Sequence, residues 1–309
     1  MRWTTRASVA AVVAGAVVVG VSGAAAATAG KHLVRAHRAA RLAPGKRPVF
    51  AAESPSALPP KYVKVSSGAF TVGAGAQASG TVTCPGKTVP YGGGVFVSTT
   101  ALSANINTSI PLSNGWRGDV NNASIASTTF EIIAVCAKRN AAWHIVSGTA
   151  AAVPASSQTS TSVGCPAGTK VLGGGGFSNS GSTSVNLNSS IPVKSGSGKS
   201  ATYAWRVDEN NASANQVSEI AYAVCGRAAG YKIVTGALGT VAAGTQTSAS
   251  VSCPAGKAPL GGGLFSTSGA LTVNTNTTYA TTTGWIGYEN NANVSDSQIQ
   301  AYAVCAGTK

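Results

Sequence analysis

The sequence predicts an all-β protein made of three tandem antiparallel modules of small sandwich or barrel type, each closed by one disulfide. Three observations predict it. A unit framed by two cysteines occurs three times, and short runs rich in Val, Ile, Thr and Tyr alternate with Gly, Asn and Pro. Helical periodicity is absent from the repeated part. The spacing leaves two arrangements open: separate beads, or modules closed around a pseudo-threefold axis.

The repeat spacing is nearly constant. In each copy an aromatic residue precedes the first cysteine by 22 residues, and that cysteine precedes an Asn-x-Asn pair by 21. A Trp precedes the second cysteine by 20 residues. An extra eight residues in the second copy fall between Asn188 and Trp205, which predicts one permissive loop. The predicted repeats cover residues 61–139, 140–228 and 229–309.

Six cysteines, two per repeat, indicate an oxidising compartment. Pairing within each repeat is the simplest connectivity, and each closure is worth roughly 4 kcal/mol by the chain-entropy estimate. A repeat that carries both cysteines could close without help from its neighbours. No C-x-x-C spacing recurs, so neither a metal site nor a cofactor is expected. The predicted disulfides are Cys84–Cys136, Cys165–Cys225 and Cys253–Cys305.

The first 29 residues have the features of a secretory signal peptide. Arg2 and Arg6 precede an apolar stretch, and Ala27-Thr28-Ala29 matches a signal-peptidase site. Residues 30–60 are basic and contain several prolines, which predicts a flexible lead segment, either a tether or a removable leader. Apart from the signal peptide, no apolar run is long enough to span a membrane, so no membrane anchor is expected after cleavage. We therefore expect a secreted protein, associated with the cell wall or free outside the cell.

The formal net charge of +14 predicts attraction to anionic extracellular material. Six of the 22 basic residues lie between Lys31 and Arg47. Nucleic acid would also attract such a chain, but no basic-aromatic motif of a nucleic-acid-binding module is present. An anionic envelope polymer or glycan is the expected partner, and protein partners are the alternative.

A Cys-Pro dipeptide followed by a glycine triplet marks each repeat. The prolines at 85, 166 and 254 should end the preceding strand, because proline has no N–H donor. The triplets, which begin at Gly92, Gly173 and Gly261, predict a bend or a backbone approach that a Cβ would obstruct. A phosphate-binding loop is less consistent with the sequence, since no Lys-Ser/Thr helix start follows.

The string from Cys165 to Gly175 (CPAGTKVLGGG), closed by AYAVC at 221–225, resembles a repeat of secreted proteins of high-GC Gram-positive bacteria. Similar modules occur on phage-borne and collagen-like surface proteins. Repeat 1 departs from the pattern, with CPGKTVPY from Cys84 to Tyr91. The resemblance implies an exported surface module and assigns no catalytic residue.

Catalytic groups are sparse, and we expect no enzyme. His144 is the only histidine of the repeats, and no Gly-x-Ser-x-Gly elbow is present. Arg117-Gly118-Asp119 matches the integrin tripeptide, but the aligned Arg206-Val207-Asp208 predicts a lateral Arg–Asp pair on a strand instead.

Asparagine pairs are the candidate ligand-binding residues. Two amides on one strand face, near a Trp, could form hydrogen bonds to sugar hydroxyls. The alternative is a structural role, in which the asparagines end strands and form turns. Trp116, Trp205 and Trp285 are expected in the core instead. The favoured function is non-enzymatic adhesion to an envelope glycan. The alternatives are a structural or assembly protein and, third, an enzyme inhibitor. The candidate amides are Asn105, Asn107, Asn186, Asn188, Asn274 and Asn276.

Overall fold

The computed structural model describes residues 59–307. The predicted signal peptide and residues 30–58 of the predicted lead segment lie outside the described residues. The described chain forms 21 strands, seven from each repeat, and one three-residue 3-10 turn, Gly198–Ser200. The all-β prediction is confirmed.

The strands follow the same order in each repeat. Repeat 1 contains β1 (Val63–Ser66), β2 (Phe70–Val72), β3 (Ala76–Thr83), β4 (Thr88–Val97), β5 (Ala104–Leu112), β6 (Gly115–Asn122) and β7 (Thr128–Lys138). Repeat 2 contains β8 (His144–Ser147), β9 (Ala151–Val153), β10 (Ser157–Gly164), β11 (Lys170–Ser178), β12 (Val185–Ser195), β13 (Thr202–Asn211) and β14 (Val217–Gly226). Repeat 3 contains β15 (Lys232–Thr235), β16 (Gly239–Val241), β17 (Thr245–Ser252), β18 (Lys257–Ser266), β19 (Val273–Ala280), β20 (Gly284–Asn291) and β21 (Ser297–Gly307).

Each of the three seven-stranded sheets is shared between two repeats. Sheet A joins β1, β2, β7 and β4 of repeat 1 to β19, β20 and β17 of repeat 3. Sheet B joins strands of repeats 1 and 2, and sheet C joins strands of repeats 2 and 3, in the same pattern. The junctions pair β4 with β19, β5 with β11 and β12 with β18. The closed, pseudo-threefold arrangement is therefore the one that forms, and separate beads are excluded.

Within a repeat, the two half-sheets pack face to face as a small sandwich. In repeat 1, β4 and β7 pack against β5 and β6. Trp116 fills this core with no exposed surface, and Trp205 and Trp285 occupy the same place in repeats 2 and 3. Each indole N–H donates to a hydroxyl of its own repeat: Trp116 to Ser109 Oγ, Trp205 to Ser190 Oγ and Trp285 to Thr278 Oγ1, at 2.7–2.9 Å. The predicted burial of the tryptophans is confirmed.

The three predicted disulfides are confirmed: Cys84–Cys136, Cys165–Cys225 and Cys253–Cys305. Each joins two different sheets. Cys84 follows β3 of sheet B, whereas Cys136 lies in β7 of sheet A. Each disulfide thus connects the two half-sheets that one repeat contributes to neighbouring sheets. Both cysteines of a disulfide belong to the same repeat. The two sheets that the disulfide connects, however, also contain strands of the other two repeats.

The first glycine of each triplet lies at the pseudo-threefold axis. Gly92 lies against the backbone of Leu260 and Gly261, Gly173 against Tyr91 and Gly92, and Gly261 against Leu172 and Gly173. A Cβ at any of the three would lie 2.6–2.8 Å from the Cα of the next axial glycine. Backbone atoms cannot move aside as a flexible side chain can, so these positions require glycine. The predicted close backbone approach is confirmed.

The other two glycines of each triplet make room for different groups. A Cβ on Gly174 would overlap the indole of Trp205, and the same holds for Gly93 with Trp116. A Cβ on Gly175 would overlap the Ser109 carbonyl, across the sheet junction between repeats 1 and 2. The first glycine of a triplet therefore allows the backbone contact at the axis. The second leaves room for the buried Trp, and the third allows the close approach of strands at the junction.

Replacing Gly173 by alanine should destabilise the protein by about 1–3 kcal/mol, because the added methyl group overpacks the axis. Thermal unfolding should record this as a melting temperature several degrees lower, since ~1 kcal/mol corresponds to about 2–4 °C in a chain of this size. Gly164→Ala is the matched control, because a Cβ there has no atom within 4 Å. Equal melting temperatures for the two variants would contradict the axial packing.

Candidate functional site

The six candidate ligand-binding asparagines are buried, and the expectation of a solvent-facing amide surface is wrong. Their exposed fractions are 1–5%. Ligand recognition at the surface needs side chains that water reaches, so these amides are not a surface glycan site. The residues are Asn105, Asn107, Asn186, Asn188, Asn274 and Asn276.

Three of these asparagines bind one repeat to the next. Asn107 Nδ2 donates to the Val185 carbonyl at 2.8 Å, from repeat 1 to repeat 2. Asn188 Nδ2 donates to the Val273 carbonyl at 2.8 Å. Asn276 Nδ2 donates to the Ala104 carbonyl at 2.7 Å and completes the cycle from repeat 3 to repeat 1. Because each donor satisfies a buried carbonyl of a neighbour, these bonds stabilise the closed arrangement.

Each of these asparagines belongs to an Asn-x-Ser/Thr sequence, and both following hydroxyl residues have structural partners. In repeat 2, Ser189 Oγ donates to Asn188 Oδ1 at 2.8 Å and accepts from the Ser266 N–H of repeat 3 at 3.0 Å. Ser190 Oγ accepts from the Trp205 indole. The recurrence of this tripeptide at one place in every repeat was the sequence signal for a structural role. The x residue accepts a hydrogen bond from a backbone N–H of the neighbouring repeat, and the third residue is the ladder partner of a neighbouring strand, which sequence reasoning missed.

Two consecutive asparagines end the sixth strand of each repeat. The side chain of the first one donates a hydrogen bond to one of the other three candidate asparagines, in the next repeat. Asn121 Nδ2 donates to Asn186 Oδ1 at 3.0 Å, and Asn210 Nδ2 donates to Asn274 Oδ1 at 3.0 Å. Asn290 Nδ2 donates to Asn105 Oδ1 at 2.9 Å. All of these amides are therefore used within the fold.

The Arg-Gly-Asp tripeptide lies in β6, as the alignment predicts. Arg117 forms two hydrogen bonds to Asp119, at 3.0 and 2.8 Å, and Arg206 pairs with Asp208 in the same way. A Cβ on Gly118 would contact Val95 and Ile132 in the core of repeat 1. The tripeptide is thus a strand segment with a lateral ion pair.

Basic residues gather at one end of the sheets, which we call the disulfide end. The strand registers place Lys138 opposite Thr88, Lys170 opposite Gly226, Lys257 opposite Gly307 and Lys232 opposite Cys305. The Cys-Pro turns, the links between repeats and the β12–β13 hairpin lie at this same end. Among the described residues the opposite end, formed by the loops after β4, β6 and their equivalents, carries no Lys or Arg. The lysines and arginines of the disulfide end are Lys61, Lys64, Lys87, Lys138, Arg139, Lys170, Lys194, Lys199, Arg227, Lys232 and Lys257.

A cavity of about 420 Å³ opens at the disulfide end, where segments of all three repeats meet. No acidic residue lines it. Its cations come from the ends of repeats 1 and 2, and Tyr91 and Asn140 add polar atoms. The lining residues are Pro59, Pro60, Tyr91, Lys138, Arg139, Asn140, Arg227, Ala228, Ala229 and Ala306.

Hydrogen bonds fix the position of the polar groups in this basic pocket. Asn140 Nδ2 donates to Tyr91 Oη at 3.1 Å and to the Arg227 carbonyl at 2.9 Å, so it connects repeats 1 and 2. Burial raises the pKa of Tyr91, a rise that the hydrogen bond from Asn140 partly offsets, so the phenol stays neutral at physiological pH. The Arg139 guanidinium lies 4.2 Å from the Trp143 ring centroid, within cation–π range. Arg227 Nε donates to the Gly168 carbonyl at 3.2 Å.

Neither a protein-family model nor a curated protein sequence matches this chain. The function of the site is therefore inferred from its geometry. The three disulfides are typical of proteins in an oxidising or extracellular environment. In the described part of the chain, no helix is long and apolar enough to cross a membrane. Residues 59–307 also contain no group of three or more His, Cys, Asp or Glu side chains placed to hold a metal ion.

Replacing Asn188 by alanine should cost about 1–3 kcal/mol, because two carbonyls of repeat 3 lose a donor and the Ser189 hydroxyl loses its acceptor. Denaturant unfolding measures the change. Asn114→Ala is the control, because Asn114 is exposed in the turn between β5 and β6. A variant of Asn188 with wild-type stability and lost ligand binding would restore the glycan hypothesis for these amides.

Proposed function

We propose that the protein is a secreted, non-enzymatic adhesion protein that binds an anionic polymer of the cell envelope or the extracellular matrix at its disulfide end. The observation that carries the proposal is the gathering of basic side chains around the basic pocket. Cationic surfaces raise the local concentration of anions and increase their association rate.

The pocket suits a phosphate or carboxylate group. Lys138, Arg139 and Arg227 are exposed and are available to an anion, whereas the apolar floor contains Ala228 and Ala306. Arginine presents several donors in a planar fork that matches the oxygens of phosphate and carboxylate. The Asn140 amide and the Tyr91 hydroxyl are already bonded to each other and to the backbone, so they shape the pocket wall.

A polymer fits the charge distribution better than a small anion. The cations extend beyond the pocket to the Cys-Pro turn residue Lys87, to the hairpin residues Lys194 and Lys199 and to Lys232. A chain with repeated negative groups can contact several of them at once, and each contact is weak and screened by salt. The predicted basic lead segment, residues 30–60, joins the described chain at this end and has the same sign of charge.

Charge removal in the pocket tests the proposal. The triple variant Lys138→Gln, Arg139→Gln, Arg227→Gln should bind poly(glycerol phosphate) or a uronic-acid polysaccharide at least ~10-fold more weakly at low salt. Its remaining affinity should depend less on ionic strength, because fewer cations are left whose attraction to the polymer salt can screen. Surface-immobilised polymers and a salt series measure both effects, and a neutral glucan is the ligand control.

A matched variant separates the pocket from the general charge of this end. Lys194→Gln with Lys199→Gln removes cations of the hairpin at the same end, outside the pocket lining. We expect it to retain most of the affinity. Equal losses in the two variants would show that only diffuse charge matters. Wild-type affinity in the triple variant, or binding to proteins alone, would contradict the proposal and favour the assembly function.

A further inference from the structure

A pair of buried carboxyl groups, Glu209 and Glu219, is the feature of the core that the proposed function does not use. Neither residue has any exposed surface. Glu209 lies in β13 of sheet C and Glu219 in β14 of sheet B, and both face the interior of repeat 2. Ser178, the ladder partner of Glu219, donates its hydroxyl to Glu209 Oε1 at 3.1 Å.

The remaining carboxyl oxygens lack partners. In the described part of the chain, no hydrogen-bond donor reaches Glu209 Oε2, Glu219 Oε1 or Glu219 Oε2. Buried polar groups are nearly always hydrogen-bonded, and an unpaired buried charge is strongly unfavourable. These three unsatisfied oxygens belong to two side chains that both contact Ser178, and either protons or a bound cation would balance their charge.

The other repeats show what the fold needs at these positions. Repeat 1 has Val120 and Phe130 here, and the Phe130 ring stacks on Phe70 at 5.4 Å. Repeat 3 has one carboxyl, Glu289, beside Ile299, and the Ser297 hydroxyl donates to it. Two acidic residues are thus not a structural requirement of the repeat, and repeat 2 differs by having both.

Neighbouring charges do not neutralise the pair. Asp208 points to the outer face of sheet C, where Arg206 binds it. The strands packed against the pair include β11 and β12, whose lysines Lys170 and Lys194 lie away from it, at the disulfide end. These strands place no other charged residue near the pair. Negatively charged oxygen ligands are what hard divalent cations such as Ca²⁺ prefer.

We propose that the core of repeat 2 binds one hard divalent cation through the carboxylates of Glu209 and Glu219, with the Ser178 hydroxyl as a neutral oxygen ligand. The proposal is independent of anion binding at the disulfide end. It involves two carboxylates, fewer than the three-residue clusters by which metal sites are usually recognised.

Protons and a metal ion compete for these two carboxyl groups, so the effect of the ion on stability should depend on pH. Burial raises the pKa of Glu209 to about 8. Burial, and then the charges of Glu209 and Asp208, raise the pKa of Glu219 well above its usual range. Above pH ~4.5 the unfolded chain releases these two protons, whereas the folded chain still holds them. The free energy of unfolding should therefore fall as the pH rises from ~4.5 to the pKa values of the folded state. A cation displaces these protons and should reverse the loss, most strongly at high pH.

The test is thermal unfolding of the intact chain in EDTA and in millimolar CaCl₂, with bound calcium counted by native mass spectrometry. At pH ~8.5 we expect calcium to raise the melting temperature by about 3 °C or more, with a smaller effect at pH ~6. One ion should be bound per chain. Glu219→Ile, which reproduces repeat 3, and the isosteric Glu219→Gln should abolish both signals, whereas Glu289→Val, the control in repeat 3, should retain them.

Each other result overturns the proposal. If calcium neither binds nor raises the melting temperature at pH ~8.5, while stability still falls with rising pH, the pair holds protons alone. If an ion binds equally well to Glu219→Gln, its site lies elsewhere. If one of the Glu219 variants does not fold, the other supplies the comparison.

Discussion

The close approach of three backbones at the pseudo-threefold axis is the constraint on which the rest of the structure depends. Gly92, Gly173 and Gly261 allow three strands to meet with no side chain between them. Once the strands are this close, the half-sheets of neighbouring repeats lie edge to edge and continue as one sheet. The inner edge strands that each repeat would otherwise expose at the junctions are thereby paired, while β1 and β17 and their equivalents remain the outer edges of the sheets.

Buried polar side chains then fix the junctions in one register. The amides of Asn107, Asn188 and Asn276 reach carbonyls of the next repeat in a closed cycle. The opening aromatic residues complete a second cycle in the opposite direction: Tyr62 donates to the Pro259 carbonyl, Trp143 to that of Pro90 and Tyr231 to that of Val171. A hydrophobic junction alone would tolerate sliding, whereas these bonds have specific partners. The disulfides add a covalent connection between sheets at the end where the basic residues gather.

Much of the fold was predictable from the sequence, and the site was not. The cysteine pairs, the buried tryptophans and the need for glycine after Cys-Pro follow from spacing and local chemistry. The asparagines were misassigned because a strand-face pattern does not reveal whether a neighbouring repeat covers that face. The basic pocket could not be predicted, because Lys138 and Arg227 are 89 positions apart in sequence and meet only when the repeats close. The carboxyl pair of repeat 2 was equally hidden, since its significance depends on the partners that Glu219 lacks.

The most direct test of this account is the behaviour of repeat 2 alone. Residues 140–228, produced with the Cys165–Cys225 disulfide intact, lack the neighbours that pair with β11 and β12 and the carbonyls that Asn188 binds. We predict no cooperative unfolding transition and poor amide protection from hydrogen exchange, whereas the three-repeat chain unfolds as one unit. A monomeric, cooperatively folded repeat 2 with native-like protection would show that the modules are independent and would contradict the dependence of each repeat on its neighbours.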